Sequence, residues 1–419
     1  MVRKIEFDEH ILDNGLTCIL HKNSKNPLIN LTLGYKVGSK DELPGKKGIA
    51  HLFEHMMFQG SENISKTEHF TYIQKLGGNC NAFTMQDLTA YHETLPSNQI
   101  ETALWLESDR MNSLNISEDN LSNQKQVVIE EKKQRYDNSP YGTALLNIYK
   151  NVFTDSPYES PVIGFEEDIN SFSVDEAITF HNKYYSPQNA VLFLTGDFDD
   201  DKILKTIDAY FGNIKNKDNP DEVGKFSNRE LKESKKIIVK DKITLPGLYM
   251  CYKIPEYGSF EEYTLEYLTT IISNSRSSRL YKKLVYEKNI VKSIYTAKMM
   301  LKHCGVLFFR SIVNDPKDMD YVEKSIYEEL NSIAENGVSE EEFEKVKNEI
   351  EFQNVTNLFT LKSISLNNLI NTLYFNDPDL INTKIDKFLE VKIDDIKKTV
   401  NDWLVKKNNF VMHYLPDKK

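Results

Sequence analysis

Apolar residues recur along this chain in two rhythms. A short apolar run at 17–20 follows Asn14-Gly15, a turn signal, and reads as a strand. Residues 29–37 alternate loosely between apolar and polar and predict a second strand. Between about 48 and 58 the spacing becomes helical, and another helix over about 66–76 stops at Gly77-Gly78. Two strands, 79–84 and 89–95, are joined by a short polar turn. Helices are expected over 98–111, 118–136 and 174–184, and a strand over 190–195 before Gly196-Asp197.

Residues 214–236 are polar and charged, with one Pro and one Gly, and cannot bury a core, so they predict a linker. Beyond them the order repeats. Strands are expected over 236–240 and 247–252, then helices over 260–272, 278–286, 319–335 and 340–358. Ser339 and Glu342 form a capping box at the start of the last. The halves are similar in length and element order, which predicts duplication of one α+β unit. The expected fold is therefore α+β, with structurally similar domains over 1–213 and 237–419. Each should be a mostly antiparallel sheet packed with helices.

Composition narrows the classes. With 419 residues, about two domains are expected. Hydrophobic residues at 40% and charged residues at 27% are ordinary for a globular protein. The net charge of −11 argues against nucleic acid, whose phosphates demand a basic surface. No apolar run approaches the roughly 20 residues of a membrane-spanning helix. The N-terminus has no apolar signal region, so the expected compartment is the cytoplasm, or the periplasm if a leader has been removed. Cys18, Cys80, Cys251 and Cys304 form no close pair and are expected to be reduced.

Against this ordinary background one segment carries chemistry. His51 and His55 are four residues apart in a predicted helix, which puts both imidazoles on one face. That suits two ligands of one zinc ion. Glu54 lies close to that face, within reach of water at a metal, and can act as a general base. The order H-x-x-E-H inverts the commoner H-E-x-x-H zinc motif. A solvated helix face is the alternative. The surrounding Leu52, Phe53, Met56, Met57 and Phe58 oppose it, because buried polar groups need partners and a metal satisfies them. A third ligand is required, and a carboxylate from another helix would serve. Glu131 and Glu130 are the candidates. Glu131 follows Val127 and Val128 at helical offsets and can share an inward face with them, while Glu130 follows Gln126 and Val127.

These residues resemble the inverted-zincin peptidases related to pitrilysin, insulin-degrading enzyme and mitochondrial processing peptidase. The size is closest to the short bacterial members and the processing-peptidase subunits. In that family the third zinc ligand is a glutamate about 76 positions beyond the second histidine, which selects Glu131. The run 123–141 around it is similar to several bacterial members. Gly78-Asn-Cys-Asn-Ala-Phe-Thr84 is similar to the family's substrate-pairing edge strand, with Asp87, Thr89 and Tyr91 following. There an extended peptide adds a strand beside the metal. The resemblance thus implies substrate binding by Asn81, Ala82 and Phe83. Tyr185-Ser-Pro-Gln-Asn-Ala-Val and Gly196-Asp197 match a signature late in the first domain.

The resemblance implies a zinc endopeptidase acting on peptides or small unfolded proteins, with domain pairs forming a clamshell of which this chain is half. It also exposes two departures. Active members carry an Arg and, seven positions on, a Tyr that bind substrate; Val285 and Lys292 stand there. Gln124 stands where many relatives have a glutamate. The reading favoured is a catalytic subunit that borrows the missing pair from a homologous partner, in a heterodimer or homodimer. The alternatives are a non-catalytic scaffold subunit and a processing protease for targeting sequences.

Overall fold

The computed structural model describes residues 4–218, 220, 226, 231, 233–405 and 409–417. The expected linker, 214–236, lies partly outside the described residues. In chain order, β1 (Asp8–Ile11), β2 (Thr17–Lys22) and β3 (Leu28–Tyr35) lead to α1 (Ile49–Met56) and α2 (Glu68–Lys75). The hairpin β4 (Asn79–Thr84) and β5 (Thr89–Pro96) follows, then α3 (Ile100–Asn112) and α4 (Glu118–Lys132). Next come α5 (Ala144–Val152), α6 (Glu166–Ser171), α7 (Val174–Tyr184), β6 (Ala190–Gly196) and α8 (Asp200–Phe211). The second half opens with β7 (Lys235–Asp241), β8 (Gly247–Ile254) and α9 (Phe260–Ile272), then β9 (Val291–Met300) and β10 (Gly305–Val313). It closes with α10 (Met319–Asn336), α11 (Glu340–Asn357), α12 (Leu361–Phe375), α13 (Leu380–Glu390), α14 (Ile393–Trp403) and β11 (Asn409–Pro416).

The strands form two mixed, mostly antiparallel sheets, ordered β1-β2-β6-β3-β5-β4 and β7-β11-β8-β10-β9. Apart from β1 the two have one topology. In each, the first strand pairs parallel with the last, and every other neighbouring pair is antiparallel. The expected duplication is thus visible in strand order and direction. It leaves β4 and β9 as equivalent edge strands.

Two compact units surround these sheets. One comprises Met1–Lys132, Ser160–Val223 and Val355–Thr383; the other comprises Lys133–Glu159, Gly224–Asn354 and Lys384–Lys419. Neither is a continuous half of the chain, which the pattern of strands and helices does not foretell. α12, from late in the chain, packs on β3 and β6 of the first sheet. α5, from early in the chain, packs on β8 and β11, the equivalent strands of the second sheet. Gly34 of β3 lets α12 approach closely, because a Cβ there would meet Leu369 at 2.7 Å and Leu373 at 2.9 Å. Ser365 of α12 donates to Thr32 at 2.6 Å, within the interior.

Each apolar face is buried as the sheet's alternation requires. In the second unit Leu248, Met250, Tyr252 and Ile254 of β8 join the helices α9, α10 and α14 in one cluster. Tyr249 and Cys251, on the opposite face, join α5 in another. The helix expected over 278–286 is instead a π-helical turn at Tyr281–Glu287. All four cysteines are free thiols. No helix among the described residues is long and apolar enough to cross a membrane.

Candidate metal centre

The helix α1 owes its position to its N-terminus. Gly48, with φ of +99°, turns the chain into it. A Cβ on Gly48 would lie 2.9 Å from the Cα of Gly164, and one on Gly164 would lie 2.4 Å from the Lys47 carbonyl oxygen. Two glycines therefore let the backbones touch. The buried Glu42 carboxylate accepts from the N–H groups of Gly48 at 3.0 Å and Ala50 at 2.9 Å. It does the capping work that no side chain at the helix start performs. Burial pushes the Glu42 carboxyl up to about 8, against the pull of those two bonds.

Leu52, Phe53, Met56 and Met57 are fully buried on the back of α1. Phe53 packs on Phe180 and Tyr185, with ring centroids at 5.0 and 5.4 Å. The other face carries His51 and His55, whose ring centroids are 4.9 Å apart. α4 packs against α1 and brings in Glu131. Its carboxylate lies 3.3 Å from His55 Nε2 and 3.7 Å from His51 Nε2. All three ligand atoms fall within 4.8 Å of one another. Donors held about 2.0–2.1 Å from one tetrahedral zinc are about 3.3–3.5 Å apart, so the set has the right size as well as the right chemistry.

Glu130 is exposed and stands outside this group. Glu131 shares its inward stripe with Val128 and the buried Gln124; Val127 is exposed, contrary to the expected face. Glu54, beside His55, accepts from the Thr84 hydroxyl at 2.6 Å. Thr84 ends β4, whose outer edge is unpaired in the sheet. Asn81 is exposed on that strand, while Ala82 and Phe83 are half-buried opposite Tyr91 and Ala90. Sequence patterns point to neither Thr84 nor Glu42: each acts through a partner 30 or 8 residues away with no periodic signature.

Two family models match the chain, one of insulinase-type family M16 peptidases over residues 17–165 and one of the M16 inactive domain over 171–350. The chain belongs to peptidase family M16. The zinc protease PqqE of Helicobacter pylori is 27% identical over 399 residues, covering 94% of this chain and 89% of that one. The uncharacterized zinc protease YmxG of Bacillus subtilis is 26% identical, covering 80% and 81%. A crystal structure of a protease from Helicobacter pylori superposes with a TM-score of 0.91 at 26% identity, over 99% of this chain and 100% of that one. The α+β fold of two similar domains is thus that of M16 peptidases.

Other polar clusters in this M16 chain are built differently. His69 and Glu93 meet at 2.6 Å beside Glu107, all buried. There Arg110 supplies the cation: it forms two bonds to Glu107 and lies over Phe58 and Tyr91, 4.8 and 4.3 Å from the ring centroids. In the second unit Asp320, Glu323 and His413 gather around Lys236, 2.8 Å from Glu323. Each group holds its own positive charge. At the positions where the resemblance led to an expected Arg and Tyr, Val285 packs on the second unit's core and Lys292 is exposed.

Proposed function

We propose that this chain is a zinc-dependent endopeptidase, with His51, His55 and Glu131 as the metal ligands. One observation carries the reading: three donors converge within 4.8 Å, and the next carboxylate, Glu54, is tied to an open edge strand. A zinc ion held there supplies Lewis acidity toward a peptide carbonyl and makes water easier to deprotonate. Glu54 then accepts the proton of the attacking water and returns it to the leaving amine. The Thr84 hydroxyl keeps that carboxylate pointed for both transfers. Asn81, Ala82 and Phe83 receive the peptide as an added strand on β4, with backbone groups giving affinity.

A homologous partner subunit completes the substrate site. The absence of an Arg and a Tyr at 285 and 292 supports this, as does the description of the matching second-half model as an inactive domain. The same facts favour a second reading, a non-catalytic subunit that retains its zinc. Zinc content and peptide turnover, measured for the wild type and Glu54→Gln with and without a candidate partner, separate the readings. Loss of turnover with zinc retained in Glu54→Gln supports catalysis. Wild-type turnover in that variant removes Glu54 as the base, and no turnover under any pairing leaves the scaffold reading.

A further inference from the structure

In the second unit one arginine is enclosed by tyrosines. Arg310, on β10, is part-buried, and among the described residues no carboxylate lies within 4.0 Å of its guanidinium. Every other part of its surroundings is built. Tyr249 of β8 and Tyr295 of β9 stand directly across the ladder from it. Arg310 donates through Nε to the Tyr249 hydroxyl at 2.9 Å and through Nη1 to the Tyr295 hydroxyl at 3.0 Å. The rings of Tyr141, Tyr249 and Tyr295 surround it, with centroids 5.6, 5.9 and 5.6 Å from its central carbon.

Tyr141 is placed there at some cost. Its φ is +59°, a left-handed conformation that bulky residues avoid. Its N–H donates to Asp241 and its hydroxyl to the Leu245 carbonyl. The nearest structural reason for the fit is Gly247, where a Cβ would come 2.9 Å from the Tyr141 ring. Backbone strain and a missing side chain thus combine to hold one wall of the collar.

We propose that Arg310 and its tyrosine collar bind the carboxylate of a peptide, as an accessory site of the second unit. Nε and one Nη1 hydrogen are committed to the two phenols. The other Nη1 hydrogen and both Nη2 hydrogens remain, enough for the two-pronged grip that a guanidinium gives a planar carboxylate. The bond to Tyr295 lies at the surface, and Tyr295 is 37% exposed, so this end of the group faces water. The rings offer flat apolar walls to the chain that carries the carboxylate. On a protein of net charge −11, an unneutralised guanidinium is also a local exception to a field that repels acidic peptides. Tyr295 belongs to β9, the edge strand equivalent to β4. The choice of a peptide as ligand rests on the peptidase reading; the choice of a carboxylate rests on Arg310 alone.

The test uses the full-length, zinc-loaded Glu54→Gln protein, so that binding is measured without turnover. Calorimetry compares an N-acetylated alanine hexapeptide ending in a free carboxylate with its C-terminal amide, and with an amide carrying one internal Glu. The free acid should bind at least about 10-fold more tightly than the plain amide, roughly 1.4 kcal/mol. The Glu-bearing amide separates a side-chain carboxylate from a chain terminus as the preferred source. Arg310→Gln should erase the preference, and Arg310→Lys, which keeps charge but not the fork, should retain only part of it. Equal affinity for all three peptides in the protein with Arg310 intact overturns the proposal, and that comparison needs no folded variant at this site. So does a preference that survives Arg310→Gln, or no measurable binding of any of the three peptides. Failure of peptide turnover in the unsubstituted enzyme bears on the peptidase reading and leaves this comparison unaffected.

Discussion

Thr84 donates its hydroxyl to Glu54 at 2.6 Å, joining the edge strand β4 to the carboxylate beside the second histidine. This bond engages the Oε2 atom of the Glu54 carboxylate and fixes its orientation relative to the strand. Thr84→Val keeps the side-chain shape and removes the donor. Turnover should fall about 10-fold, consistent with losing one bond to a charged group. Zinc content should stay at the wild-type level. Steady-state kinetics beside metal analysis checks this, and an unchanged kcat would remove the positioning role.

The two neighbouring glutamates of α4 give a paired prediction. Glu131→Gln should weaken zinc binding by at least about 100-fold, because a charged ligand becomes a neutral one. Glu130→Gln, on the exposed side, should leave it unchanged. A chelator should abolish activity and lower the unfolding midpoint, with both restored by added zinc, since a ligand that binds only the folded state stabilises it. Competition titration with a zinc indicator measures the affinities.

Gly164→Ala should damage the metal site from a distance. The new Cβ would meet backbone atoms of Lys47 and Gly48, and φ at 164 is +75°. Neither neighbour is a flexible side-chain end, so the start of α1 must shift. A loss of about 2–4 kcal/mol is expected, together with reduced zinc occupancy. Chemical denaturation and metal analysis read the two effects separately.

The His69–Glu93 pair predicts a pH dependence. Burial pushes Glu93 up to about 7 and His69 down to about 3. Folding therefore favours the neutral pair, with the proton on Glu93; its other oxygen, Oε2, has no hydrogen-bond partner among the described residues. Glu93's contribution is complete below its unfolded value and is lost as pH rises through about 7. His69's contribution has the opposite sign and is lost as pH falls from its unfolded value toward about 3. Glu93→Gln removes the first effect and keeps the second. From pH 5.5 to 8 its unfolding midpoint should rise relative to wild type by a few degrees. Parallel curves for the two proteins would show that the pair does not titrate with folding.

Much of the site is readable in the sequence because its signals are local. H-x-x-E-H sits in a helix whose apolar back, Leu52, Phe53, Met56 and Met57, is spaced to be buried. The hairpin β4–β5 alternates around a polar turn. What escapes are relations between distant segments. β9 and β10 are missed because Lys298-Met-Met-Leu-Lys-His-Cys304 blurs their alternation and their turn. α12 is missed because its buried face mixes Ile364 and Leu369 with Ser365, Asn368, Asn371 and Thr372, which masks any amphipathic stripe. The choice between Glu130 and Glu131 hangs on one residue of helical phase, which Val127 misleads by lying exposed.

The placement of α12 has a consequence for synthesis. His51, His55 and Glu131 have all left the ribosome long before residues 361–375 are made, yet those later residues cover the sheet beside which the site is built. A nascent chain ending in the expected linker presents β3 and β6 with one apolar face bare, a state open to misassociation. The first unit thus waits for most of the message to be read. Expressing 1–213 alone should yield a protein that aggregates and holds zinc poorly. Supplying 355–383 as a separate peptide should rescue it.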